Sequence, residues 1–447
     1  MKKIIAFAAI AAASVSLASA QDFKSGFFLD NYLYGYNINP ALQADKYTGG
    51  YFGLGVSSLE ASLNSNVGID NFLFPKDGKL YLGLNKNVSA EEFLGGLKND
   101  NKANFGVGYN IFSFGFRGAE GKSLINVAMN VRSQNGLSVP RDFFEFLKSG
   151  GEDNTYVLEN INVKSKNYVE LAVNYSRKIG MVTVGATVKG LGGIAYTDVN
   201  VDRMSLNIKD DVVRVTSKGS FNAALPYGKI KTDSEGYVDF SDFEKGSAGV
   251  AGYGAAVDLG VKVNILPNLA LSAAVCDLGA ITWKKDQGGV MDSSYEFNWN
   301  DDDDAGENIE DMFKFKSVNY DETEYEMLDT RINLGARYSF LFAPDLSVGA
   351  LCTLRMGDKL SKNSDIRVGV TYTPGRIFSI SGNYGLSSYG NAFGAAMNLR
   401  LIGINLFAGI DGIATKYTPQ MIPVSSPDIV FKGGLSIVIG SKKANRD

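Results

Sequence analysis

The stretch 391–401, NAFGAAMNLRL, alternates apolar side chains with polar or very small ones. In an extended strand, one face would carry Phe393, Ala395, Met397, Leu399 and Leu401, and the other face would carry Gly394, Ala396, Asn398 and Arg400. A period of two residues is typical of a β-strand whose two faces meet different surroundings. Similar runs recur from residue 50 to residue 440, so the chain is predicted to consist of many amphipathic strands.

The connections between these runs indicate how the strands are arranged. Fourteen candidate strands lie near residues 50–64, 103–117, 122–133, 167–178, 181–193, 248–264, 268–280, 328–341, 345–356, 365–374, 376–386, 391–401, 404–413 and 429–440. Very short links alternate with long ones such as 134–166, 194–247 and 281–327. Outer-membrane barrels have tight turns at one end and long loops at the other. We therefore predict an all-β fold, a transmembrane antiparallel β-barrel of about fourteen strands over residues 50–440.

The N-terminus predicts export. Lys2 and Lys3 precede the apolar run 4–13, and Ala18-Ser19-Ala20 is a small-residue cleavage site, so residues 1–20 are expected to be a signal peptide. No later run reaches the roughly 18 apolar residues of a helical membrane span. We expect the cell outer membrane of a Gram-negative bacterium as the location, outer-membrane lipid as the surroundings, and a periplasmic tail at 441–447.

Charged side chains lie opposite the apolar faces of the predicted strands. An Arg or Lys that faces lipid at mid-depth costs about 2–4 kcal/mol, so these residues are expected to face the lumen. The predicted lumen-lining residues are Arg132, Glu170, Asp258, Lys262, Arg331, Arg337, Arg355, Arg367, Arg400, Asp411 and Lys432. Two interpretations remain: the charges fill and stiffen a narrow barrel, or they line a pathway for a substrate or an ion.

Several kinds of chemistry are missing. The chain has no histidine, which removes Ser-His-Asp triads and histidine zinc sites. The acidic stretch 299–326 fails the EF-hand spacing, because Ala305 and Met312 fall where a carboxylate ligand is needed. The net charge of −4 argues against a nucleic acid partner. We predict a non-enzyme with no catalytic residue and no cofactor; a loose surface Ca²⁺ site in the acidic stretch stays an open alternative.

Residues 21–49 do not alternate, yet they are rich in aromatic side chains, which a disordered tail would not be expected to hold. Asn and Pro at 37–42 favour a turn. We predict that this segment folds into the barrel as a hatch or plug. Its predicted hatch residues are Phe27, Phe28, Tyr32, Tyr34, Tyr36, Asn39, Pro40 and Ala41.

The Asn39-Pro40-Ala41 motif, followed by Gly-rich and aromatic-rich strands that count to fourteen, resembles the FadL-type barrels. Those barrels carry long-chain fatty acids and other hydrophobic molecules. The layout is similar, more closely still, to relatives in Bacteroidota: an uncharacterised family of exported barrels and the PorV-type barrels of the type IX secretion system. The resemblance implies that residues 39–41 belong to a hatch, and that a kinked wall strand opens a lateral path to the bilayer.

Three functions follow as hypotheses. The first is a passive channel or transporter for a small hydrophobic or amphipathic molecule, which predicts a pocket between hatch and wall. The second is a PorV-like scaffold that binds secreted proteins or a secretion channel, favoured by the apolar cluster at 143–147 and by the long loops. The third is a structural barrel with an inactive lumen.

Overall fold

The computed structural model describes residues 23–44, 48–118, 120–149, 153–298, 312–319, 322–357, 360, 362–375, 377–413 and 428–439. The predicted signal peptide, the predicted tail at 441–447 and residues 299–311 of the acidic stretch lie outside the described residues. In the described part of the chain, no helix is long and apolar enough to cross a membrane.

Strands form most of the described chain. They are β1 (Gly50–Ser65), β2 (Leu73–Lys76), β3 (Lys79–Leu82), β4 (Asp100–Arg117), β5 (Ser123–Pro140), β6 (Asn154–Ile179), β7 (Val182–Lys209), β8 (Val212–Ala224), β9 (Gly228–Thr232), β10 (Val238–Lys245), β11 (Gly252–Leu266), β12 (Leu269–Lys285), β13 (Gln287–Asn298), β14 (Lys316–Val318), β15 (Glu322–Met327), β16 (Thr330–Phe340), β17 (Ala343–Met356), β18 (Asn363–Tyr372), β19 (Phe378–Ser387), β20 (Gly390–Leu401), β21 (Ile404–Ile413) and β22 (Asp428–Ile439). The helices are α1 (Ala90–Gly95) and α2 (Arg141–Ser149), with short 3₁₀ turns at Lys24–Phe27, Gly35–Asn37 and Ile69–Asn71.

Fourteen of these strands form a closed antiparallel ring. Each pairs with the next in the order β1, β4, β5, β6, β7, β11, β12, β16, β17, β18, β19, β20, β21 and β22, and β22 pairs back with β1. A closed ring has no free edge, which satisfies the backbone of a sheet in apolar surroundings. The predicted barrel is confirmed, and every ring strand lies on one of the fourteen predicted runs.

The outer face of the ring is apolar. Ile366, Val368 and Val370 of β18 are all exposed on the outside, whereas Arg367 between them is buried on the inside. Exposed aromatic rings lie near both ends of the ring, among them Phe116, Phe342, Tyr253 and Phe393. An apolar band between two aromatic girdles is the surface that bilayer lipids cover.

Strands β6 and β7 continue well beyond the ring. They have 26 and 28 residues, whereas a barrel strand crosses a bilayer with about 9–11 residues. Their outer halves pair with each other, β7 pairs with β8, β8 pairs with β13, and β13 pairs with β14. We call this outer sheet, together with the hairpin β9–β10 and helix α2, the cap.

The cap has an apolar core of its own. Buried core residues come from α2, β6, β7, β8 and β13, among them Phe146, Leu158, Met204, Val215, Phe221 and Met291. The long connections at 134–166, 194–247 and 281–327 thus contain strands whose apolar sides face one another. This core holds the cap together.

Helix α2 joins the cap to the connection between β1 and β4. Phe146 is buried in the cap core, and Phe144 packs against Phe72 and Phe93 of that connection. The predicted apolar cluster at 143–147 is therefore used within the molecule. In the same connection, the Ser89 hydroxyl accepts a hydrogen bond from the backbone N–H of Glu92 and caps α1.

The apolar band leads to a stability prediction. Val368→Arg places a charge on the outer face near the middle of β18, and should lower the free energy of unfolding by about 2–4 kcal/mol. Urea unfolding in phospholipid vesicles measures this value. The matched control is Leu82→Arg in the hairpin β2–β3, an equally exposed leucine outside the ring, which should change stability little. Equal losses in both variants would contradict a lipid-covered band.

Candidate functional site

Residues 23–44, which we call the internal segment, lie inside the ring. The segment makes hydrogen bonds to strands on all sides of the ring. The bonded pairs include Tyr34 with Ser436 in β22 (2.8 Å), Phe28 with Thr371 in β18 (2.6 Å), Asn39 with Val261 in β11 (3.2 Å) and with Ala273 in β12 (3.1 Å), and Pro40 with Asn174 in β6 (3.3 Å). Because these strands surround the lumen, the segment occupies the lumen.

All eight residues that were predicted for the hatch are buried. Aromatic rings of the segment pack edge to face, as Phe27 does on Phe28 and Tyr32 on Phe407 of β21. Burial raises the pKa of Tyr36 above its usual value, so this phenol stays protonated. The segment is therefore a packed part of the fold, with its polar groups facing the polar inner wall.

The inner wall carries glycines where the internal segment comes closest. A Cβ atom at Gly335 would lie 2.5 Å from the ring of Phe27, and one at Gly369 would lie 2.8 Å from the ring of Phe28. A Cβ at Gly185 would overlap the carbonyl oxygen of Pro40. These glycines leave the space that the segment fills. Glycines on the inward faces of the predicted strands were a signal of this close approach that the sequence contained.

The wall is irregular at one place that the internal segment covers. The register of the β1–β22 pairing shifts between Phe52 and Leu59. The hydroxyl of Tyr34 donates a hydrogen bond to the carbonyl oxygen of Ser57 (3.2 Å) and lies 2.8 Å from the hydroxyl of Ser436. Tyr34 thus fills the position where the ladder between two ring strands is interrupted.

A first group of buried charges spans β5, β6, β7, β11, β12 and β16. The ion pairs are Arg132 with Glu170 (2.7 Å), Lys189 with Asp258 (2.8 Å), Lys189 with Asp277 (2.5 Å) and Arg331 with Asp277 (2.7 Å). Three cations meet three carboxylates, so the group is neutral. Such pairing is needed because a buried charge without a partner is costly.

A second group of buried charges ties the internal segment to the opposite wall. Arg367 pairs with Asp365 (3.0 Å) and Asp411 (3.4 Å). Lys24 of the segment approaches Asp365 (3.5 Å), and the backbone N–H of Ser25 donates to Asp411 (3.0 Å). The start of the segment is thereby anchored through charges.

The predicted lumen-lining residues all lie on the inner face or within the lumen. Besides the two groups, Lys432 pairs with Glu60 (2.7 Å) and Arg337 with Asp30 (2.9 Å). Lys262, Arg355 and Arg400 are half-buried. The structure also brings charged residues to the lumen that sequence reasoning missed: Lys24, Asp30, Glu60, Lys189, Asp277, Asp365 and Asp428.

A cavity of about 470 Å³ lies between the internal segment and the wall, at the end of the ring with the short turns. The segment contributes Phe27, Tyr32 and Asp30, among others, and the wall contributes Lys262 and Arg337. The segment side of the cavity therefore carries aromatic rings and one carboxylate, and the wall side carries two cations. A molecule with an apolar part and a polar part would suit both sides.

The close approach of the internal segment to Gly185 can be tested by adding a side chain at that position. Gly185→Val should push residues 39–41 off the wall, because even a Cβ overlaps Pro40. Chymotrypsin should then cut the internal segment at its tyrosines, while the barrel keeps its heat-dependent migration in SDS gels. Gly190→Val is the control in the same strand, since a Cβ there meets nothing within 4 Å. Equal protection of the segment from chymotrypsin in both variants would contradict the close approach at Gly185.

Comparisons with known proteins give three results. The chain is similar in structure to the toluene transporter TbuX of Ralstonia pickettii (8% identity, 90% of this chain and 91% of that chain covered, TM-score 0.44). It is also similar to the toluene transporter TodX of Pseudomonas putida (9%, 95% and 94%, 0.40) and to a FadL homologue of Pseudomonas aeruginosa (9%, 93% and 96%, 0.41). A search of curated proteins finds no match. The model of a family of unknown function (DUF5723) matches residues 40–411, and the chain belongs to that family.

Proposed function

We propose that the protein is an outer-membrane channel through which a small hydrophobic or amphipathic molecule moves passively, with the internal segment as its gate. The observation that carries this proposal is the position of Tyr34. It fills the register shift between β1 and β22, while neighbouring residues of the same segment line the cavity at the other side of the lumen.

The outer surface supports the location. An apolar band with aromatic girdles fits a bilayer, and the cap extends from the end with the long connections, which is the outer end in outer-membrane barrels. The short turns then face the periplasm, and so does the cavity. A ligand in the cavity would therefore lie next to the periplasm.

The two halves of the internal segment are held differently. Residues 24–25 are held by Asp365 and Asp411, and separating them would leave buried carboxylates with fewer partners, which is costly. Residues 39–40 are held by neutral hydrogen bonds, which water can replace at a net cost of about 0.5–1.5 kcal/mol each. We infer that the start of the segment is the anchor and that residues 34–42 move.

The scaffold hypothesis has lost one of its two supports. The apolar cluster of α2 is packed within the cap and against Phe72 and Phe93, so it is not presented to a partner. The third hypothesis, a structural barrel without transport, is tested by the following experiment.

A disulfide can lock the moving half. A Cβ at Gly260 would lie too close to the side-chain oxygen of Asn39. The substitution Asn39→Cys removes that oxygen, so cysteines at both positions fall within the reach of a disulfide. The variant is Asn39→Cys with Gly260→Cys, in a chain where Cys276 and Cys352 are replaced by serine. Oxidation should reduce the entry of the hydrophobic dye N-phenylnaphthylamine into cells to the rate of cells without the protein, and reduction should restore it.

The control is Asn39→Cys alone, treated with the same oxidant, which should not change dye entry. Equal rates in the oxidised and reduced double variant, with the disulfide verified by mass, would show that this half of the segment is no gate. Equal rates in cells with and without the wild-type protein would indicate a structural barrel.

A further inference from the structure

The geometry points to a binding site for an anionic group, a carboxylate or a phosphate, in the cavity at the short-turn end of the ring. Its central residue is Lys262 of β11, with Arg337 of β16 beside it. As part of a transport path, the site rests on the proposed channel function. As a binding site, it can be tested independently of transport.

The pairing registers place three cations in one row on the inner face. Lys178 and Lys262 both stand opposite Thr183, from either side of β7. Lys262 stands opposite Ser272 of β12, and Arg337 is two residues further along, opposite Ala270. The long cationic side chains thus flank small ones. The cavity occupies the space above Ser272 and Ala270, which both line it.

The carboxylate in the cavity is already engaged. One oxygen of Asp30 lies 2.9 Å from the Arg337 guanidinium, and the other accepts a hydrogen bond from the Thr373 hydroxyl (2.7 Å). The charged lining residues are Lys262, Arg337 and Asp30, which sum to +1. Asp30 therefore compensates Arg337, and the charge of Lys262 is left over.

Lys262 is half-buried, and within the described part of the chain it makes neither an ion pair nor a hydrogen bond. A cation that is partly removed from water and has no carboxylate in ion-pair contact is destabilising. An anion in the cavity would remove this cost. The Asn264 side chain, two residues along β11 and also lining the cavity, can add an amide donor.

The rest of the lining indicates what carries the anionic group. Phe27, Leu29, Leu42 and Leu269 face the same cavity. An anionic head beside Lys262 would place an attached apolar body against these side chains. A free anion would use the basic side alone. The shared chemistry is the anionic group, and the two sources can be separated by experiment.

The experiment is calorimetric titration of the purified full-length protein, above the pKa of the acid, with decanoate, decanol and inorganic phosphate as probes. Lys262→Met should weaken decanoate binding about tenfold, the size expected for losing a charged partner. Decanol binding should not change. Lys262→Arg should retain most of the decanoate affinity. The matched control is Lys218→Met, an exposed lysine of β8 in the cap.

The outcomes separate the alternatives. Phosphate binding that disappears in Lys262→Met would assign the site to a free anion, and loss of decanoate binding alone would assign it to the head of an amphipathic molecule. Equal effects on decanoate and decanol, or no effect on either, would overturn the anion site. If the protein does not increase dye entry but binds decanoate through Lys262, the channel proposal is wrong and the anion site is supported. If the protein increases dye entry but Lys262→Met leaves decanoate binding unchanged, the anion site is wrong and the channel proposal is supported.

Discussion

The pairing of β22 with β1 is the contact on which the rest of the structure depends. A sheet with an apolar outer face cannot leave backbone groups unpaired at an edge, because each unsatisfied group in hydrocarbon costs several kcal/mol. Closing the ring removes both edges at once. Closure also encloses a lumen whose walls are the polar faces of the same strands. Folding must therefore also place groups in the lumen that pair with those polar faces.

The lumen is filled by charge pairing and by the internal segment together. Cations and carboxylates from six neighbouring strands neutralise one another around Lys189 and Asp277. On the other side, Arg367 faces three carboxylates, and Lys24 of the segment supplies a second cation. Glycines then set how closely the segment approaches. Its position thus follows from charge and from space, more than from a continuous apolar core.

Alternation explains which parts of this structure could be predicted. Ring strands separate lipid from a polar lumen, so their period of two is strong, and all fourteen runs fall on ring strands. The same rule places Lys189 and Asp365 inward and could have found them. It could not find Asp277, because a shift in the β11–β12 pairing turns this residue inward next to Cys276, with φ at +60°.

The cap shows where alternation loses information. In β8, Val213 and Val215 are buried, whereas Arg214 and Thr216 face water. A strand between a protein core and water alternates just as a strand between lipid and a lumen does, so the period alone cannot tell the two apart. Residues 21–49 show the opposite difficulty: without a period, their aromatic content indicated burial but could not indicate which strands they would touch.

The internal segment links two features of the wall that are far apart in the ring. Tyr34 fills the register shift at β1 and β22, and Tyr32 lines the cavity beside β11 and β16. Their ring centroids are 6.0 Å apart. Gly35 and Leu42, which follow Tyr34 in the same segment, line the same cavity. In the proposed channel, in which residues 34–42 move, the interruption in the wall and the basic cavity would open together, and a molecule that enters from the bilayer would meet the positive charge of Lys262 on its way to the periplasm.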